Sequence, residues 1–119
     1  MDLLTPWSIR DHEIPSRVVF GPHATNLGNG RSFSERHIAY YERRAGGGAG
    51  VIVCEETAVG TDWPYERSPH TDQATDGWAR IAEACHSHGA SVLAALGHTG
   101  LQGSSAYSQR ALLAPSAVP

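Results

Sequence analysis

The stretch from Tyr40 to Thr57 constrains the fold more than any other part of the chain. Its first half ends in three consecutive glycines, Gly46 to Gly48, which can adopt the left-handed conformation that closes a helix and turns the chain. Val51 to Cys54 then forms a β-branched run without polar alternation. Such a run is typical of a strand buried on both faces, as in a parallel sheet covered by helices. A helix followed directly by this strand predicts an α/β fold.

A strand and a helix start are predicted before this stretch. Ser16 to Phe20 predicts the first buried strand, and Pro22 ends it because proline lacks the amide that a central strand needs. The S-x-x-E pattern from Ser32 to Glu35 predicts a capping box, which opens the helix that runs to the glycines. The unit is therefore strand, loop, helix.

A second helix and a third strand are predicted after it. Apolar residues recur at helical spacing between Asp72 and His88, and Gly89 ends the helix. Ser91 to Leu96 predicts the third strand. The resulting order, βαβαβ, predicts parallel strands joined by right-handed crossovers. An open sheet of three strands is expected to leave two edges unpaired and at least one apolar strand face poorly covered.

The two ends of the chain differ from this core. Residues 1–15 predict two short extended segments that turn near Asp11 and His12 and cap one end of the structure. Residues 104–119 are small and polar and predict no clear element. The polar loop from Val59 to Asp72 is long for a compact domain, and loops of that length are often functional.

The strand ends carry the candidate chemistry. Glu55 and Glu56 directly follow the second strand, and ligands of α/β folds sit at the carboxyl ends of such strands. The sequence leaves two interpretations open, because either glutamate could serve a ligand or cap the next turn. Three histidines, His86, His88 and His98, are a third candidate, for a metal, but the first two do not share a helix face.

Composition excludes several function classes. A chain of 119 residues with a net charge of −3 predicts one domain and no nucleic-acid partner. Cys54 and Cys85 fit neither a zinc site nor a disulfide framework, so buried free thiols in a reducing cytoplasm are expected. No signal segment or membrane-length apolar run is present, so no membrane association is expected. Dinucleotide, Walker and G-x-S-x-G motifs do not occur.

Three segments, taken together, resemble a known family. SRVVFGPHAT resembles the first barrel strand of the flavin-dependent old yellow enzymes, and RAGGGAGVIVCEETAVG resembles their second strand with its preceding helix. LGHTGLQG and LLAPSAVP resemble the loop and the segment after their third strand. The order and spacing also match, and the subgroup that the chain most resembles is the 2,4-dienoyl-CoA reductase-like one.

The resemblance implies a fold and a cofactor. The fold is a (β/α)8 TIM barrel with FMN at the carboxyl ends of the strands; NAD(P)H reduces the flavin, and a hydride passes to an activated alkene. Residues 1–119 would form a partial FMN-binding barrel, with 1–15 as a cap and 16–119 as about three βα units. The implied cofactor-binding residues are Pro22, His23, Ala24, Glu56 and Ala95.

Several positions depart from the family pattern. Ala95 replaces the usual flavin-contacting glutamine, so one or two hydrogen bonds of roughly 1 kcal/mol each are missing. Leu101 replaces the usual arginine, while His98 remains and is expected to hydrogen-bond the loop backbone. His23 is expected to be solvated.

Length is the largest departure. A complete barrel needs about 250 residues, and this chain supplies three of eight strands. The family's substrate-binding pair, its proton-donating tyrosine, its phosphate-binding loops and the cysteines of the subgroup's 4Fe–4S centre are all absent, so no catalytic residue is predicted. The chain is expected to be an N-terminal piece, inactive alone and completed by a second chain, or else a non-catalytic fragment.

Overall fold

The computed structural model describes residues 2–60, 68–109 and 111–116. A three-stranded parallel sheet forms its centre, with Val19 opposite Val51 and Val51 opposite Ser91. The predicted α/β fold with parallel strands is confirmed. In chain order the elements are β1 (Trp7–Ile9), β2 (His12–Ile14), β3 (Val19–Phe20), α1 (Glu35–Gly46), β4 (Val51–Val53), β5 (Thr57–Ala58), α2 (Thr71–His86), β6 (Ser91–Leu93), β7 (Leu96–Gly97) and α3 (Ser105–Ser108).

Helix α1 ends as predicted but begins later. Gly47 caps its carboxyl end, and Gly48 has a φ of +97°, which a side chain would disfavour. The predicted start at Ser32 is wrong, because the N-cap is Ser34, whose amide donates to Nδ1 of His37 over 3.0 Å. The Ser32 hydroxyl instead donates to the carbonyl of Gln73. A second serine two positions on therefore opens the helix.

The first strand is shorter than the predicted Ser16–Phe20. The Ser16 hydroxyl donates to the carbonyl of Gly48 over 2.6 Å, and the amide of Arg17 donates to that of Leu3 over 2.8 Å. Because the Arg17 amide bonds the amino-terminal segment and the Ser16 hydroxyl bonds the α1 turn, the regular ladder between β3 and β4 begins only at Val19. The second strand also ends one residue early, at Val53.

The third strand is divided in two rather than continuous from Ser91 to Leu96. Strand β6 ends at Leu93, and β7 pairs with β5 instead of β4, with Leu96 opposite Thr57. The amide of Thr57 donates to the carbonyl of Ala95 over 2.8 Å, so hydrogen bonding bridges the interruption. The gap between β4 and β5 and the gap between β6 and β7 both lie at the carboxyl ends of the central strands.

One face of the sheet is buried, and the other is open at its two edge strands. Ile52 is fully buried between the sheet and the helices, with Phe20 and Val92 at the same level on the flanking strands. On the opposite face, Val19 is 54% and Leu93 is 55% exposed. Within the described ranges, β3 and β6 are the edges of this sheet. The expected unpaired edges and poorly covered apolar face are both present.

The predicted cap and the free cysteines are confirmed. Strands β1 and β2 form an antiparallel hairpin, and Ile14 of β2 is almost completely buried. Cys54 and Cys85 are buried and free, and burial raises their pKa values to about 12 and about 11, so both stay protonated at neutral pH. No described helix has the length and apolar character needed to cross a bilayer.

The second helix and the carboxyl-terminal segment need small corrections. Helix α2 runs from Thr71 to His86 rather than from Asp72 to His88, and His70 is its N-cap. The segment after residue 104, predicted to have no element, contains the short helix α3, preceded by a 3-10 turn at Gly100–Gln102. Much of the long polar loop, residues 61–67, lies outside the described residues.

Candidate functional site

The five predicted cofactor-binding residues lie at one end of the sheet. Three of them, Pro22, His23 and Ala24, follow β3 and are exposed. Glu56 lies between β4 and β5, and Ala95 lies between β6 and β7. Because these strands are parallel neighbours, all five residues stand at their carboxyl ends. The structure thus brings together the positions that the sequence proposed, and their roles stay predictions.

The backbone after β3 is open to a ligand. In the described part of the chain, the amides of His23 and Ala24 have no hydrogen-bond partner, and their carbonyls accept no backbone hydrogen bond. Free backbone groups on an exposed surface are normally satisfied by water or by a bound molecule. This segment can therefore present both a donor and an acceptor edge to a ligand.

The side chain of His23 contacts other side chains of the protein. Its Nε2 atom lies 2.7 Å from the hydroxyl of Tyr40, and its ring meets Phe20 edge-on. The guanidinium of Arg44 stacks 3.3 Å above the centre of the Tyr40 ring. His23 is exposed, as predicted, but it also ties its loop to α1.

Glu55 is the main buried polar group of this end. Its side chain is fully buried and accepts hydrogen bonds from Thr25, over 2.6 Å from the hydroxyl and 3.2 Å from the amide. The same carboxylate accepts a close hydrogen bond from Nε2 of His37. Glu55 therefore does not cap the turn after its own strand, and that interpretation is wrong for this residue.

The partners of Glu55 are themselves fixed. Nδ1 of His37 accepts from the amide of Ser34, so the ring proton sits on Nε2 and points at the carboxylate. The hydroxyl of Tyr41, fully buried beside it, accepts from the amide of Glu55 over 2.7 Å. The network joins β4 and α1 to the loop after β3.

This network holds Glu55 in its ionised form. Burial acts to raise the pKa of Glu55, but the hydrogen bonds from His37 and Thr25 outweigh it and keep the pKa below the ordinary 4.5. A carboxylate with a lowered pKa in the folded state contributes stability that is complete above its ordinary pKa. That contribution is lost as the pH falls through the folded-state value.

We therefore expect acid to weaken the fold through Glu55. Urea unfolding of the wild type should show a falling free energy of unfolding between about pH 5 and about pH 3. Glu55→Gln should be less stable at neutral pH and lose less in this window. Glu35, whose pKa is lowered by its hydrogen bond from Arg80, is exposed, so the control Glu35→Gln should keep nearly the wild-type slope. Equal slopes for wild type and Glu55→Gln would contradict the expectation.

Glu56 and His98 occupy the neighbouring strand ends. Glu56 is exposed, and its side chain lies across Gly97, where a Cβ would collide with the carboxylate. His98 accepts from the amide of Gly100 over 2.9 Å, as expected of a residue that holds its own loop. Ala95 offers only backbone groups, and its carbonyl is taken by Thr57.

A metal centre has no support in the described ranges. No group of three or more histidine, cysteine, aspartate or glutamate side chains there is arranged to hold a metal ion. His86, His88 and His98, considered from the sequence, do not form such a group.

Sequence reasoning missed Thr25 and His37. Glu55 was a candidate because it follows a buried strand, but its two partners lie 30 and 18 positions away. No local pattern connects residues at such separations, so only the fold reveals the network.

Comparison with known proteins identifies relatives over nearly the whole chain. The model of the NADH:flavin oxidoreductase / NADH oxidase family matches residues 2–118. An NADH oxidase of Thermoanaerobacter brockii is 37% identical over 114 residues, covering 89% of this chain and 17% of its own length. An NADPH dehydrogenase of Bacillus velezensis is 30% identical and covers 98% of this chain and 35% of its own length.

Solved structures agree on the fold. The old yellow enzyme of Trypanosoma cruzi superposes with a TM-score of 0.83 at 26% identity, over 99% of this chain and 35% of that protein. The old yellow enzyme homologue of Zymomonas mobilis gives 0.83 at 27% identity, over 99% and 34%. The chain therefore has the fold of the amino-terminal part of these barrels, and it spans about a third or less of the relatives it matches.

Proposed function

The chain belongs to the NADH:flavin oxidoreductase / NADH oxidase family, and from that premise we propose that it forms the FMN-facing opening part of an NAD(P)H-dependent oxidoreductase. The proposed reaction class is reduction of an activated alkene, of the ene-reductase or 2,4-dienoyl-CoA reductase type. The proposed setting is the cytoplasm. The chain's own share of the work is to bind and orient one edge of the flavin.

The observation that carries the proposal is the free backbone after β3. The amides of His23 and Ala24 are exposed and unpaired beside the carboxyl ends of three parallel strands. A flat, uncharged ring edge with alternating acceptors and donors is the kind of group that such backbone bonds without an intervening side chain. The residues present therefore fit an isoalloxazine edge at this segment, although Ala95 adds no side-chain hydrogen bond.

The flavin would supply the hydride chemistry. Pro22 removes one amide and fixes the backbone direction as the chain leaves β3. Glu56 would place a carboxylate beside the cofactor, where its exposure keeps it hydrated. No group of this chain is proposed to donate or take the reacting proton, and no iron–sulfur centre is proposed within the described residues.

The remaining barrel strands would come from outside residues 1–119, either further along the same polypeptide or on a second chain. Val19 and Leu93 stay more than half exposed on the sheet face that a closed barrel would cover. Among the residues that the structure describes, the edges β3 and β6 are unpaired and available for further strands. A non-catalytic piece is the second candidate, favoured by the same exposed face.

Flavin binding tests the proposal directly. FMN is added to the chain alone and to a chimera in which the chain replaces the matched segment of the Thermoanaerobacter brockii NADH oxidase. We expect a flavin absorption band that stays with the chimera through gel filtration and bleaches on addition of NAD(P)H. A folded chimera without bound flavin would remove the proposal and leave the non-catalytic candidate.

A pair of variants tests the backbone contact. Ala24→Pro deletes one amide donor, and we expect it to weaken FMN binding at least about fivefold, as for one lost hydrogen bond. His23→Ala keeps both amides and removes a side chain that ties the loop to α1 through Tyr40, so it should weaken FMN binding less than Ala24→Pro does. Fluorescence titration of both variants in the chimera supplies the measurement, and the reverse order of effects would contradict a backbone contact.

A further inference from the structure

We propose that Glu55 is a positioning residue, which sets the location of the Pro22–Ala24 backbone from beneath the loop. The inference rests on the proposed function, because it assigns a role to this loop at the cofactor. Glu55 itself is fully buried and would touch neither cofactor nor substrate.

The loop after β3 has little else to hold it. Between Gly21 and Leu27, no backbone group makes a backbone–backbone hydrogen bond with any described residue. Four of its residues, from Gly21 to Ala24, are exposed. Its location therefore depends on side-chain anchors.

Those anchors are few and unequal. His23 reaches Tyr40 at the surface, and the Ser34 hydroxyl donates to the carbonyl of Leu27. Thr25 alone is fixed through both its backbone and its side chain, since its amide and hydroxyl meet the two oxygens of Glu55. It directly follows the proposed contact segment, so a shift of Thr25 moves Ala24 with it.

A carboxylate suits this task better than a neutral group. It accepts from the amide and the hydroxyl of Thr25 and from His37 at once, and hydrogen bonds to a charged acceptor are about twice as strong as neutral ones. The Thr25 hydroxyl also accepts from the amide of Leu27, which extends the same anchor along the loop. A glutamine would turn an NH2 group toward a donor and break the pattern.

Variants at Thr25 test the role without removing the buried charge. Thr25→Val keeps the side-chain shape and deletes the hydroxyl, while Thr25→Ser keeps the hydroxyl. Ile81→Val, in the buried face of α2, is the matched control for general loss of stability. Each is made in the 119-residue chain and in the flavin-binding chimera, and Glu55→Gln is added if it folds.

Two readouts separate positioning from plain stability. Amide hydrogen exchange of the chain alone, without FMN, should speed up about tenfold in Thr25→Val at the amide of residue 25, whose acceptor Glu55 is unchanged. FMN affinity of the chimera should fall about tenfold in the same variant. Thr25→Ser should restore both within about twofold, and Ile81→Val should leave both unchanged while lowering the melting temperature.

The outcomes also separate this inference from the proposed function. A wild-type chimera that binds no FMN would defeat the proposed function, and loop exchange would then decide whether Glu55 holds the loop. If the wild type binds FMN and Thr25→Val binds it equally well, the positioning role is overturned while the proposed function stands. If Thr25→Val and Ile81→Val speed exchange alike at the amide of residue 25, the role is overturned as well.

Discussion

Glu55→Leu is expected to lower the free energy of unfolding by about 3–5 kcal/mol, because leucine accepts no hydrogen bond. The amide and the hydroxyl of Thr25 would lose their acceptor inside the fold, and Nε2 of His37 would keep only the Thr25 hydroxyl, 2.9 Å away. Leucine fills a similar volume, so the loss would come from stranded donors rather than from a cavity. Urea denaturation followed by circular dichroism at neutral pH measures the change.

The adjacent glutamate supplies the control. Glu56→Leu alters the neighbouring position, but Glu56 is exposed, so its free energy of unfolding should change by only about 0.5 kcal/mol. A loss below about 1 kcal/mol for Glu55→Leu would mean that water replaces the missing acceptor and that the network is not sealed. Similar losses for both variants would point to the strand end in general rather than to Glu55.

The sequence predicted the elements whose signals are continuous along the chain. Val51 to Val53 is a run of β-branched residues after a glycine turn, and its strand lies where the pattern put it. The hairpin of β1 and β2 also formed about the expected turn. Each of these signals is local, so tertiary contacts had little to change.

The predicted boundaries of helices and strands were wrong where a residue could serve two structural roles equally well. Ser32 and Ser34 can both cap a helix, and the fold chose Ser34 because His37 reaches back to its amide. Ser16 has no strong strand preference; its hydroxyl donates to the α1 turn and its carbonyl accepts from the indole of Trp7, so it does not join the ladder. Competition of this kind is decided by the assembled structure and not by the pattern.

The candidate site likewise has one part that the sequence predicted and one part that it did not. Its placement at the strand ends follows from parallel topology, which the βαβαβ order already implied. Its anchor, from Glu55 to Thr25, joins residues 30 positions apart, and neither residue is unusual in its own segment. A buried glutamate after a hydrophobic strand predicts that a partner exists but not which residue it is.

Gly50→Ala is expected to destabilise the chain by about 3 kcal/mol, at the upper end for overpacking, because backbone surrounds this glycine. A Cβ at Gly50 would collide with the carbonyl oxygen of Ser16 and would lie 2.9 Å from Cγ2 of Ile14. Gly50 itself cannot move away, since its amide donates to the carbonyl of Val18 and its carbonyl accepts from the amide of Ser91, both over 2.9 Å. The added methyl would push the hairpin off the end of the sheet, exposing Ile14.

Gly21→Ala is the matched control, because nothing lies within 4 Å of the place that its methyl group would take and its φ is not in the left-handed region. It should leave the free energy of unfolding unchanged or raise it by up to about 1 kcal/mol, through the lower entropy of the unfolded chain. Intrinsic tryptophan fluorescence, to which Trp7 contributes with an indole that donates to the carbonyl of Ser16, adds a readout of hairpin docking. A Gly50→Ala chain with wild-type stability would show that the hairpin is not packed against β4. The hairpin would then be a separate element and not part of the packed end of the sheet.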